Sequence, residues 1–254
     1  MTVKVIAVNT FKEAVRDRIL YLLLFFAAAA ILLSRVLAMF TVGDRTKIIK
    51  DVGLASISIF GALMAILIGT GLVYKEIEKR TIFTLISKPI RRSEFLLGKY
   101  FGLVLTLAVM LASMGLIFLA LILIQTGALE GRLLLAILFI FFELVLLTAV
   151  AILFSCFSTP ILSSLFSLGF YVIGHFSWSL ETLVKKARPG LGKTLLRLLT
   201  AVLPDLENFN IRTEVVHGLP LPASLLLYSA AYGIVYAAFV LTVAVLIFRR
   251  RDFI

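Results

Sequence analysis

The chain is short of charge, sulfur and imidazole. Of its 254 residues only 15% are Asp, Glu, Lys or Arg, against about 25% in soluble domains. Its one cysteine, Cys156, lies inside an apolar run, so an intrachain disulfide is excluded and the redox compartment stays open. Two His, one Cys and five scattered Met offer no ligand spacing for a metal. Asp205, Glu207 and Asn208 form a loose acidic turn that lacks the glycine and ligand order of a calcium loop. A phosphate-binding loop is missing as well. Gly190-Leu191-Gly192-Lys193-Thr194 imitates its end, but Ala187 stands where the first glycine is required and no strand precedes it. An intramembrane enzyme, a protease or a lipid-modifying transferase, needs a nucleophile–base pair or a metal set. His175 with a serine is the one conceivable pair, and neither paired acids nor a nucleophile elbow accompany it. That enzyme and a passive channel or scaffold stand as the rival readings.

What the chain has is apolar length: 61% of it is hydrophobic, with a mean hydropathy of +1.11. A soluble domain of this size has too little interior to bury so much. Six apolar runs, at about 19–40, 53–74, 99–124, 133–157, 160–180 and 223–248, are each near the 20 residues that cross a bilayer. Helices satisfy their own backbone in lipid. The expectation is therefore an all-α membrane protein, one transmembrane domain over 1–254 with six spans. Arg35 in the first run can snorkel to the interface, and Ser158-Thr159-Pro160 reads as a tight hairpin between the fourth and fifth. The net charge of +11 sits beside apolar runs, which points to a membrane surface and away from nucleic acid. Placing the N-terminus inside collects 14 Lys and Arg on the inner side and 11 on the outer, only five of them in short outer loops. Both termini are thus expected to be cytoplasmic.

Residues 2–18 are amphipathic, with Val3, Ile6, Ala7, Phe11, Ala14 and Val15 at helical spacing, and predict a helix lying in the interface. Ala27 to Ala30 imitates a signal-peptide cleavage site. The long acid-bearing stretch before the run, and the run's continuation through Ile31–Leu33, favour retention of this segment.

Two segments are neither span nor simple turn. In 75–98, Ile77, Thr81, Thr84, Leu85 and Lys88 share one helical face, and Pro89 ends that helix. A basic inner loop is one reading, and a short helix that docks into another protein, apolar anchors ringed by charge, is the other. In 181–222, apolar residues recur at helical spacing on both sides of Pro189-Gly190. The two readings there are amphipathic helices on the outer leaflet and a basic solvated loop. Glu143 lies mid-span in FIFFELVLL and must face protein or water. It reads either as a polar group on a translocation route or as a protonated or hydrogen-bonded glue between helices, with Thr148, Ser167 or a partner chain as its match. His175, beside Ser177 and Trp178 at the end of the fifth run, reads as a ligand or proton carrier on that route or as a hydrogen-bonded interfacial residue. Trp178 suits the aromatic belt, and His217 has no partner spacing.

Residues Glu76-x-Glu78-x-Arg80-Thr81-Ile82, Leu85-Ile86-Ser87-Lys88-Pro89-Ile90-x-Arg92 and Gly98-Lys99 resemble the inner loop of ABC type-2 exporter permeases. Among these the likeness is nearest to six-span permeases such as the one serving nitrous-oxide-reductase maturation. Ser155, Ser158-x-Pro160, Gly174-His175, Pro204-x-Leu206-x-x-Phe209 and Arg250-Arg251-Asp252 extend it over most of the chain. The resemblance implies that Glu76–Pro89, with Lys79, Leu85, Ile86, Ser87 and Lys88, includes a coupling helix seated on a separate ATPase subunit. It implies two permease copies, as a homodimer, and two ATPases in a prokaryotic plasma membrane. ATP and Mg would sit on the ATPases, with no cofactor and no catalytic or ATPase site on this chain. Residues 2–18 would pack beside the coupling helix, and the 181–222 segment would cap the route from outside, where an extracytoplasmic partner is possible.

Overall fold

The computed structural model describes residues 2–40, 44–78, 91–128, 130–177, 204–250 and positions 182, 184, 193, 194 and 197, with backbone alone at 72–78 and 250. Every regular element among them is helical. In chain order these are α1 Thr2–Val15, α2 Arg18–Met39, α3 Arg45–Glu78, α4 Arg92–Thr126, α5 Gly131–Ser155 and α6 Pro160–His175. A 3-10 turn, Leu206–Phe209, then leads to α7 Arg212–His217 and α8 Ala223–Arg250.

Local chemistry marks the ends. The Asp17 carboxylate accepts the Ile19 N–H at 3.0 Å, so α1 and α2 are separate helices joined at a capped corner. Pro160 occupies the first turn of α6, where its missing N–H costs nothing. Gly127, at φ 71°, closes α4 in the left-handed conformation.

Among the described residues, five helices are long and apolar enough to cross a membrane: α2, Arg45–Gly71 of α3, α4, α5 and Ala223–Arg249 of α8. The expected fifth span is the departure. Its helix ends at His175 after 16 residues, about 24 Å of rise, short of a hydrocarbon core of about 30 Å. A segment from later in the chain packs against this end. Leu206, Phe209, Val215 and Val216 are buried, so 204–217 packs into the bundle above the end of α6. This stretch is neither a solvated loop nor a pair of helices on a surface. The helices expected over Leu183–Val202 fall almost wholly outside the described residues.

The bundle has a near end, with α1 and the starts of α2, α4 and α6, and a far end, with the starts of α3 and α5 and the 204–217 segment. The helices α3 and α5 are the most buried, while α2 and α8 are peripheral and expose Phe25, Phe26, Leu227 and Phe239. Several buried hydroxyls on the spans bond back to their own helix, as in Thr106 to Gly102 O at 2.9 Å and Ser155 to Ala151 O at 2.8 Å. That satisfies them without a partner helix. Ser163 Oγ, also buried, has no partner among the described residues.

At the near end α1 lies along the start of α4. Gly98 and Gly102, one turn apart, form the seat. A Cβ on Gly102 would stand 2.6 Å from the Ala7 carbonyl oxygen, and one on Gly98 would stand 2.6 Å from Ile6 Cβ. Small residues at this spacing let two backbones approach closely. Thr2 donates to Glu94 at 3.2 Å, and Lys99, 1% exposed, meets Glu13 at 3.3 Å. The beginning of α4 is also fixed to the end of α8. Phe95 stacks on Phe248 at 6.1 Å, and Arg92 Nη1 donates to the carbonyls of Phe248 (3.3 Å) and Arg249 (3.1 Å). A cation on the last carbonyls of a helix contributes about 0.3–1 kcal/mol at an exposed site. Arg92→Ala is therefore expected to lower the thermal midpoint slightly in detergent, and Arg92→Lys to restore part of the loss. An unchanged midpoint in Arg92→Ala would show the contact to be idle.

Candidate translocation-route site

The mid-span acid and the imidazole meet. Glu143, 2% exposed on α5, places Oε1 3.5 Å from Nε2 of His175 on the last turn of α6. The meeting follows from the lengths. Glu143 stands twelve residues before Ser155 and His175 fifteen after Pro160, so antiparallel helices joined by a tight turn bring them to similar heights, about 18 and 22 Å up. His175 is fixed on its other side, with Nδ1 3.2 Å from the Tyr171 carbonyl oxygen and its ring 4.6 Å from the Tyr171 ring. The Tyr171 hydroxyl in turn contacts Ser58 of α3 at 3.2 Å. A second polar tie between α3 and α6, Thr70 to Ser164 at 2.8 Å, lies nearer the other end.

The expected partners of Glu143 are otherwise engaged. Thr148 donates to Leu144 O and Ser167 to Ser163 O, both at 2.7 Å along their own helices. Among the described residues, Glu143 Oε1 has no hydrogen-bond partner. Beside it is a cavity of about 20 Å³, walled by Ser58, His175, Asn210 and Arg212 among others. That volume holds a water molecule and little more. The 204–217 segment closes the cavity. Asp205 caps the 3-10 turn by accepting the Glu207 N–H at 3.1 Å, and Asn210 donates to Glu207 at 2.8 Å. Arg212 reaches Asp51 of α3 at 3.6 Å. Alongside, Lys50 holds Glu130 at 2.6 Å and ties α3 to the entry of α5.

Ser58, Tyr171, Arg212 and Asp51 are the site residues that sequence reasoning missed. The one available signal was the position of Ser58 and Tyr171, polar groups inside apolar runs at heights near Glu143. The other set of expected site residues divides at Glu78. Glu76 and Glu78 continue α3 as its last turn, so the charged segment begins as an extension of the second span's helix. Lys79, Arg80, Thr81, Leu85, Ile86, Ser87, Lys88 and Pro89 lie outside the described residues. Arg92 begins α4.

A bundle of long apolar helices carrying an ionisable cluster around a buried Glu143, with His175, Arg212 and Asp51 partly exposed beside it, is the build of a multi-pass membrane protein. Residues 4–253 match the family model described as ABC-2 family transporter protein, and the chain belongs to that family. It is thus a permease subunit of an ABC transporter, a class whose partner is an ABC ATPase subunit. No curated protein matches the chain closely enough to count as a relative.

Proposed function

We propose that the chain is the membrane subunit of an ATP-driven exporter, with the lever and the route on this chain and the ATP chemistry on its partner. The observation that carries the reading is the family match over 4–253. The working unit is two copies of this chain and two ATPase subunits in a prokaryotic plasma membrane, the ATPases holding ATP and Mg. On this reading its action resembles that of six-span permeases of the kind that serves nitrous-oxide-reductase maturation, a likeness that rests on the loop residues Glu76–Lys99. Here α6 makes the sixth crossing together with the 204–217 segment, which completes its outer half. Both termini and the near end face the cytoplasm. The far end faces out, with room for an extracytoplasmic partner on the 181–222 segment.

In this reading Glu76–Pro89 is the coupling segment, and closure of the ATPase pair moves it as a handle. The continuity of α3 through Glu78 supports that role, because a rigid helix carries displacement from the handle into the most buried part of the bundle. The contacts of α1 and α8 with the start of α4 support a near end that moves as one body. The chain binds no cofactor or metal of its own, and Glu143 and His175 lie on or beside the route.

The test is the double variant Glu78→Ala with Arg80→Ala, expressed together with its ABC ATPase partner. The expected result is loss of ATPase co-purification and at least about a tenfold fall in export, as for an interface that loses central charged contacts. Full export with the ATPase still attached would overturn the coupling role.

A further inference from the structure

We propose that Glu143 and His175 form a buried one-proton site, in which a single shared proton joins α5 to α6 beneath the 204–217 segment and its release frees that segment. Nδ1 of His175 lies 3.2 Å from the Tyr171 carbonyl oxygen, which can only accept, so Nδ1 carries a hydrogen. Nε2 then faces Glu143 Oε1 at 3.5 Å. Without a further proton, two sets of lone pairs oppose each other beside a cavity with room for about one water, one of them on the buried Glu143 anion. With one proton, either the carboxyl O–H donates to Nε2 or the Nε2–H donates to the carboxylate. The contact then attracts and the pair is neutral. With two, a net positive charge stands beside Arg212. One is the number that fits the geometry.

The surroundings make the site exchangeable. The cavity beside Oε1 has room for one water, an acceptor and donor for that proton next to an oxygen with no other partner. The charges that act on Glu143 are Arg212 of α7 and Glu207 of the 3-10 turn, both on the 204–217 segment. The remaining titratable groups around the pair are Asp51 of α3, held by Arg212, Tyr171 of α6, Glu214 of α7, and Tyr232 of α8 behind Phe209. Loss of the proton leaves an anion whose Oε1 has no hydrogen-bond partner among the described residues. Arg212 attracts it more strongly than Glu207 repels it, which draws Arg212 from Asp51, and the charge gains full hydration only when the segment lifts. The loss also parts the end of α6 from α5, and Gly174 on that end is where Leu206 sits. Proton release and loosening of the segment are therefore one event.

The experiment uses the full chain in lipid nanodiscs, 15N-labelled at histidine, with His217→Gln so that His175 gives the sole signal. His175 nitrogen shifts and amide hydrogen exchange over 204–217, corrected for intrinsic rate, are followed from about pH 5 to about pH 8 and beyond. The expected result is one step common to both. As that step is approached from below, exchange rises about tenfold per pH unit, the slope of one-proton linkage, and it levels off above the step. In Glu143→Gln the common step disappears. Corrected exchange that is flat across the His175 step, or a His175 step unmoved in Glu143→Gln, overturns the proposal. Should Glu143→Gln fail to fold, coincidence of the two steps in the parent chain decides alone.

Discussion

Gly102→Leu is expected to strip α1 from the bundle. The Cβ alone would stand 2.6 Å from both the Ala7 carbonyl oxygen and Thr10 Cβ, and the first of these is backbone, which cannot rotate aside. Leucine adds three more carbons in the same direction. Overpacking of this kind costs about 1–3 kcal/mol where neighbours can shift, and more where they cannot. The damage spreads along the seat, because Thr2–Glu94 and Glu13–Lys99 depend on α1 lying flat on α4. Lys99, 1% exposed, would then lose its Glu13 contact while still inside the near end. Gly102→Ala should fall between the parent and Gly102→Leu in thermal midpoint. Protease cutting at Arg16 and Arg18 should quicken in the same order. The control is Gly169→Ala on α6, where nothing lies within 4 Å of an added Cβ. There the gain in helix propensity, about 0.5–1 kcal/mol, is the only effect expected. A parent-like midpoint in Gly102→Leu would mean that α1 is not held by this seat.

The helices were legible because lipid demands uninterrupted apolar length, and length is what a hydropathy reading measures. Runs near 19–40, 99–124, 133–157 and 223–248 became α2, α4, α5 and α8 with small changes at their ends. The fifth run misled because apolar content says how much can be buried, not by what. Its described helix ends at His175, and Leu206 and Phe209, from some thirty residues later, pack at that end. The polar cluster was half legible. Glu143 announced itself as a carboxylate in an apolar run. Its pairing with His175 required knowing the rotational phase of two helices and where one of them stops. Arg212 and Asp51 looked like ordinary loop charges, since a pattern along the chain holds no record that a distant loop folds back into the bundle. The charged segment after Glu78 was the most specific feature of the sequence, and the family match agrees with what it implied about class.

The contact of Gly174 with Leu206 gives the sharpest test of how the 204–217 segment is held. A Cβ on Gly174 would lie 2.6 Å from Leu206 Cγ, 2.7 Å from Cδ1 and 3.3 Å from Cβ. Truncating Leu206 to alanine leaves only the last of these, a distance that a slight shift relieves. Gly174→Ala alone is expected to cost about 1–3 kcal/mol. Leu206→Ala alone, at a fully buried site, should cost about 2–5 kcal/mol. Together they should cost less than their sum, with a coupling of about 0.5–3 kcal/mol, because the methyl added on α6 occupies space that the shortened side chain has vacated. Midpoints for the four chains in detergent supply the cycle. Gly233 provides an independent check, since a Cβ there would meet Phe209 Cζ at 2.8 Å and Gly233→Ala should lift the same segment from the α8 side. If Gly174→Ala and Leu206→Ala prove additive, the segment is not seated on α6. If they couple while Gly233→Ala is silent, the segment pivots on α6 alone and its α8 edge is free to swing. Coupling at both glycines describes a wedge gripped from two sides, and a wedge so held can leave the bundle only when α6 and α8 move apart.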